Sequence, residues 1–264
     1  MKLDFIDQGK EFDFGRVSDN YVLYRNIYPK SMYEKLTDFG IGKSGQKILD
    51  LGSGTAILPI NMYSTNANFT ASDISENQLA YGKKLAEEKG IRNIDFRVCS
   101  AENTGFGDNS FDVVTAVQCF HYFDTKKAIP EIHRILKPEG LFCKILMDWL
   151  PFEDEVIGEL EKLVLKYNPE WGGHGFEKFR YSYPAWADGF FDIETIHSYN
   201  ADLEFSKKSW LGRVKTCRGV GASLSEKEIE NFTNEYNNFL NRYSEPLSLK
   251  HQIHIEIYRS LKKL

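Results

Sequence analysis

The chain has 264 residues, of which 42% are hydrophobic and 27% charged, with a formal net charge of -5. That length can bury a sizeable core in one or at most two domains. The acid excess argues against nucleic acid as a partner, because phosphate recognition wants a basic footprint, and no run of about eighteen apolar residues is present to span a membrane.

The first stretch, MKLDFIDQGKEFDFG, carries acids where a secretory signal would carry an apolar core. Cys99, Cys119, Cys143 and Cys217 are scattered, with no CxxC pair and no zinc spacing. Both features predict a cytoplasmic protein with reduced thiols. Val17 to Tyr33 predicts an amphipathic helix, with Tyr21, Tyr24, Arg25 and Tyr28 recurring at helical spacing. That face either packs on the domain or forms a lid in which Arg25 meets an anion.

Lys47 to Ala56, KILDLGSGTA, is the stretch around which the chain is organised. Ile48, Leu49 and Leu51 predict a buried strand. Gly52, Ser53 and Gly54 predict a tight turn that lets the backbone approach a ligand, and Thr55 to Tyr63 predicts a helix. Asn68 to Asp73 predicts a second strand ending in an acid about twenty residues past the turn, where a carboxylate can accept both hydroxyls of a ribose. The same Asp73 can instead cap the helix predicted over Ser75 to Lys89, which Gly90 stops.

Ile94 to Val98, Phe111 to Val117 and Leu141 to Met147 predict three further strands. A polar turn at Ser100 to Asn103 follows the first, and Gln118 to Phe123 follows the second. A helix over Thr125 to Leu136 ends at Lys137-Pro138-Glu139-Gly140. Strands alternating with helices argue for a parallel sheet covered on both faces, with ligands beyond the strands' carboxyl ends. That rule places Gly52, Asp73, Ser100, Ala101, Gln118, His121 and Asp148 on one rim. Later, Phe152 to Tyr167, Lys207 to Cys217 and Ser225 to Tyr243 predict helices. Asn168 to Trp186 predicts an irregular aromatic segment. Phe191 to Tyr199 predicts a strand, and Gln252 to Tyr258 alternates strictly, as a half-exposed strand would.

Four pieces of this pattern resemble the class I S-adenosylmethionine-dependent methyltransferases, especially the small-molecule group of the ubiquinone/menaquinone C-methyltransferases and the trans-aconitate methyltransferases. These pieces are LDLGSGTA, ASDIS, CSAENTGFGDNSFDVV and LKPEG. The resemblance is strong from about Tyr21 to Met147 and thin beyond. It departs at Ala56, where many members carry a third glycine, and at Ser100, where an aspartate is usual. It implies a Rossmann-like, seven-stranded, mostly parallel α/β sheet with helices on both faces and an antiparallel last strand. Residues 1–45 would form an N-terminal helical lid, 46–150 the cofactor-binding core, and 151–264 a cap insertion with the last two strands, all one domain.

The resemblance implies S-adenosyl-L-methionine as cofactor, held by Tyr24, Arg25, Asp50, Gly52, Ser53, Gly54, Asp73, Ile74, Ser100, Ala101, Glu102 and Gln118. The acceptor is expected to be a small molecule, a carboxylate or a hydroxyl compound, and the protein a monomer or homodimer. Tyr21, Trp149, Trp210 and Arg213 are candidate substrate contacts. The aromatics would form a box for an apolar or cationic acceptor, or Arg213 and Arg218 a clamp for a carboxylate. A sulfonium methyl is already activated, so alignment supplies most of the catalysis, and His121 is the candidate base for an acceptor that must lose a proton. No metal is expected: His251 and His254 fall on opposite sides of a strand. Two other readings share the strand-turn-helix, a nicotinamide oxidoreductase and a non-catalytic cofactor-binding protein. LKPEG and CSAEN have no role in the first. The acids and glycines at 50, 52, 54 and 73 argue against lost binding in the second.

Overall fold

A computed structural model describes residues 2–3, 6–13, 24 and 28–262. Most of the helix expected at Val17–Tyr33, including Tyr21 and Arg25, lies outside the described residues. Pro29 precedes helix α1 (Lys30–Asp38). The strands are β1 (Lys47–Leu51), β2 (Asn68–Asp73), β3 (Ile94–Val98), β4 (Phe111–Val117), β5 (Leu136–Trp149), β6 (Phe191–Phe205) and β7 (Leu247–Ser260), in the sheet order β3-β2-β1-β4-β5-β7-β6. The further helices are α2 (Ile57–Asn61), α3 (Glu76–Glu88), α4 (Thr125–Ile135), α5 (Glu155–Tyr167), α6 (Lys207–Val214) and α7 (Glu226–Leu240).

β1 is parallel to β2 and β4, β2 to β3, and β4 to β5. Cross-strand bonds give the direction of β7. Lys144 meets Glu256 and the Leu150 N–H meets the Lys250 carbonyl, so a step forward along β5 is a step back along β7. Ser198 with His254 and Asn200 with Gln252 show the same for β6 and β7. The sheet is therefore the mixed, mostly parallel seven-stranded sheet expected, with β7 reversed.

The helices start where the sequence supplies caps. Ser75, Asp124, Asp154 and Ser206 each accept a first-turn N–H, and Ser225 with Glu228 forms a reciprocal capping box. Three elements differ from expectation. The helix expected at Thr55–Tyr63 shrinks to α2, because Ala56 sits at φ 56°, outside helical geometry. LKPEG does not end a helix in a loop: Leu136 already begins β5, and Gly140 is required there, since a Cβ would lie 2.9 Å from the Lys137 carbonyl oxygen. Finally, β7 is not half-exposed. His251 to Tyr258 are all buried, because the alternate polar residues find partners. Gln252 donates to Asn200, His254 bonds Ser198 and Glu256, and Glu256 also takes Lys144 and Tyr258.

The chain divides into two compact units interleaved in sequence: a larger one of residues 28–147, 179–199 and 253–264, and a smaller one of 1–27, 148–178 and 200–252. The larger unit's core runs through Leu49, Leu51, Val114, Ala116, Ile129, Ile132, Phe142, Phe191 and Tyr258. In the smaller unit, α5 packs on α7, and the buried Tyr236 hydroxyl donates to the Val156 carbonyl while accepting from the Trp210 indole. Among the described residues, no helix is long and apolar enough to cross a membrane.

Candidate active site

At the carboxyl end of β1 the chain turns sharply. Gly52 adopts φ +62° and Gly54 φ +55°, conformations that cost a side-chain-bearing residue roughly 1–2 kcal/mol. Gly52 is also pressed from below. A Cβ there would come within 2.8 Å of both Cβ and Sγ of Cys119, and the Cys119 thiol donates to the Leu51 carbonyl at 3.1 Å. Asp50 holds the turn from inside. It is 2% exposed, and its two carboxylate oxygens accept from the Ser53 hydroxyl at 2.5 Å and the Thr115 hydroxyl at 2.6 Å. Burial pushes Asp50 up to about 6, against the pull of the two hydroxyls; the neighbouring Asp73 charge adds to the rise. Asp50 shapes the turn through these two hydroxyls.

Asp73 fastens the end of β2 to the same turn. Its Oδ2 accepts the Gly54 N–H at 2.9 Å and its Oδ1 the Ser75 N–H at 2.8 Å. Burial raises its pKa, and the backbone donors oppose that. Of the two sequence readings of this residue, the cap role falls to Ser75, whose side chain accepts the Gln78 N–H, and Asp73 acts as the turn former before it. Next to it Ile74 is 55% exposed, and Val98 at the end of β3 is 59% exposed, an unusual pair of bare apolar side chains at neighbouring strand ends.

The remaining rim candidates divide. Ser100 and Asn103 close a one-residue bridge, and Ala101 between them is buried in the core. Glu102 spends one carboxylate oxygen on the Asp124 N–H at 2.9 Å, so it anchors the start of α4. Gln118 takes φ 58°, and its side-chain amide donates to the Met147 carbonyl, tying the ends of β4 and β5 together. His121 lies on a single 3-10 turn, Phe120–Tyr122, exposed and 4.0 Å ring-to-ring from Tyr122. Thr115 and Cys119 carry much of the turn's geometry, yet neither stood out in the sequence. Each looks like an ordinary β-strand or core residue until the fold pairs it with β1.

The smaller unit brings together Trp149, Trp210 and Arg213. The Arg213 guanidinium lies 5.2 Å from the Trp149 ring, 5.3 Å from Trp210 and 6.0 Å from Phe205. The aromatic box expected for a cationic acceptor is thus already filled by the protein's own cation. Trp210 is fully buried core, whereas Trp149 is half-buried, its indole N–H held by Glu161 at 2.7 Å. Arg218 pairs with Asp7 at 2.8 Å. Tyr24 lies in the same unit against Gly212, where a Cβ would come 2.5 Å from its ring. His251 keeps its Nδ1 on the Leu249 carbonyl, and burial, with Arg213 nearby, holds it down at about 3.

The fold is that of a class I methyltransferase. It superposes on the YcgJ protein of Bacillus subtilis with a TM-score of 0.55 over 88% of this chain and 99% of that one, at 20% identity. A protein described as a putative type II methyltransferase from Anaeromyxobacter dehalogenans gives 0.59 over 88% and 96%, at 18% identity. Residues 49–143 match the family described as methyltransferase domain. In sequence the chain is 33% identical over 172 residues to the ubiquinone/menaquinone biosynthesis C-methyltransferase UbiE of Rickettsia bellii, covering 57% of this chain and 69% of that protein. It is 30% identical over 118 residues to the uncharacterized methyltransferase YcgJ, covering 44% of this chain and 46% of that one. The chain belongs to the class I methyltransferase family.

Proposed function

We propose that the chain transfers a methyl group from S-adenosyl-L-methionine to a small-molecule acceptor. The observation that carries this reading is the Asp73 carboxylate bonded to the Gly54 N–H, which ties the β2 acid to a glycine turn whose Gly52 has no room for a Cβ. The residues fit the nucleoside. Asp73 has lone pairs left for ribose hydroxyls, the bare Ile74 and Val98 suit a flat heterocycle, and the open backbone at Gly52–Gly54 suits the amino-acid arm. When bound, the cofactor supplies an electrophilic methyl. The protein's part is to fix it: Asp50, Thr115 and Cys119 hold the turn rigid from beneath, and Gln118 fixes the rim by its bond to Met147. His121 is exposed beyond β4 and can take a proton from an acceptor held there.

Several relatives are named for ubiquinone or menaquinone biosynthesis, the UbiE of Rickettsia bellii among them. We infer a small organic acceptor as the general class, and a cytoplasmic setting in which the four cysteines stay reduced, in keeping with their being joined in no disulfide. Calorimetry with S-adenosylmethionine, S-adenosylhomocysteine and NADH tests the reading. Micromolar binding of the first two and none of NADH is expected. The reverse order would establish the oxidoreductase alternative instead.

A further inference from the structure

Strand geometry lines up three chemically matched side chains within the larger unit. His254 and Glu256 stand two apart on β7 and so face the same side, and Ser198 lies across from His254 on β6. The Ser198 hydroxyl meets His254 Nδ1 at 2.6 Å, and His254 Nε2 meets Glu256 Oε1 at 2.7 Å. What each group can do sets the order of the protons. A carboxylate only accepts, so Nε2 carries the hydrogen; a neutral ring then has its lone pair at Nδ1, and the Ser198 O–H donates to it. Burial pushes the Glu256 pKa up, but bonds from His254, Lys144 and Tyr258 outweigh that push and hold it at about 2. Exposure runs in the order a nucleophile needs. His254 is 2% exposed and lies under the Phe179 ring, stacked on it at 4.0 Å, whereas Ser198 is exposed. The buried ring needs a donor at Nδ1, and the one it has is a hydroxyl that also faces solvent.

We propose that Ser198, His254 and Glu256 form a nucleophilic triad that hydrolyses a small carboxylic ester, an activity separate from methyl transfer. Nucleophile, base and orienting group stand in the relation that activates a hydroxyl on many unrelated folds, here with Nδ1 turned to the serine. Ser198 Oγ forms a bond to the acyl carbon of the ester as its proton passes to His254 Nδ1. The bond from that carbon to the alkoxy oxygen breaks, its electron pair goes to the oxygen, and the oxygen takes the proton from His254. Water then adds to the acyl carbon and gives a proton to His254. The bond to Ser198 Oγ breaks, Oγ takes that proton back, and the carboxylic acid leaves. Glu256 is a positioning residue: it keeps the hydrogen on Nε2 and stabilises the ring while it is charged. Among the described residues β6 is the last strand of the sheet, so every second amide on its outer edge has no strand partner and is open to the oxyanion. Ser198 is exposed on that edge strand, where little binding energy is available to distort an amide, and an ester is the class that fits.

A fluorophosphonate probe on the full chain, with the adduct mapped by peptide mass spectrometry, tests this together with hydrolysis of p-nitrophenyl acetate. An adduct on Ser198 is expected in the wild type. Ser198→Ala changes only an exposed hydroxyl. It should lose the adduct, lower kcat/KM for p-nitrophenyl acetate by about 10²-fold or more, and keep S-adenosylhomocysteine affinity within about 2-fold. Glu256→Gln should lower kcat by about 10-fold or more with KM unchanged, a split that a purely structural role would not produce. His254→Gln should slow labelling of Ser198 by about 10²-fold or more; if that variant does not fold, the wild-type and Ser198→Ala arms decide. No adduct on Ser198, equally fast labelling in folded His254→Gln, or hydrolysis unchanged in Ser198→Ala overturns the proposal. A wild type that fails to bind S-adenosylhomocysteine would count against the methyltransferase reading alone, since no step here uses the cofactor.

Discussion

Gly52→Ala is the substitution whose cost can be worked out from two separate sources. The backbone there stands at φ +62°, which costs an alanine about 1–2 kcal/mol. The new methyl also meets Cβ and Sγ of Cys119, both at 2.8 Å. Overpacking of that kind costs about 1–3 kcal/mol. The sum is about 2–5 kcal/mol, enough to weaken cofactor binding by roughly 30-fold or more if the turn gives way instead of the core. The two parts can be separated, because Cys119→Gly removes both clashing atoms and leaves φ untouched. In a double-mutant cycle followed by urea unfolding and calorimetry with S-adenosylhomocysteine, Gly52→Ala in the Cys119→Gly background should recover at least about 1 kcal/mol of its penalty. Full additivity of the two changes would show that Cys119 does not press on the turn and would refute the steric argument.

Asp50 makes stability depend on pH in a stated direction. Its folded value of about 6 lies above its ordinary one, so the native state holds the extra proton between roughly pH 4 and 6. This group's contribution is therefore best at the acid end, falls as pH rises through that window, and above pH 6 amounts to a penalty of about 3 kcal/mol. Thr115→Val removes one of the two hydroxyls that stabilise the charge, and should cost about 1–2 kcal/mol at pH 8 but clearly less at pH 4.5. Equal losses at the two pH values, by urea unfolding, would show that Asp50 is neutral throughout. Arg213→Met removes the charge that pulls Asp148 down, so carboxyl-carbon NMR should show Asp148 titrating above 6; an unchanged titration would mean the guanidinium is screened from it. Ser225→Ala breaks the capping box of α7 and should lower stability by about 1 kcal/mol, read from the urea midpoint.

What the sequence made legible follows from how local each signal is. β1 to β4 sit where the apolar runs put them, because a strand buried on both faces must be a short unbroken run, and Gly, Ser and Asp at its ends have few other conformations to serve. Helix starts were equally readable wherever one side chain makes the cap, as at Ser75 and Ser225. Long-range pairing was not readable. Nothing near Thr115 in the chain says that it faces Asp50, 65 residues away, or that Cys119 will lie under Gly52.

β7 shows the same limit from the other side. Its strict alternation predicts one wet face, and the rule behind that prediction is sound: a polar side chain avoids burial unless partnered. In β7 the partners arrive from β5 and β6. Lys144 and Ser198 reach Glu256 and His254 at 2.6 Å each, Asn200 reaches Gln252 at 3.0 Å, and the face stays dry. Whether a polar residue of this sheet can be buried is decided by what the neighbouring strands supply, and that is the information a strand's own alternation does not carry.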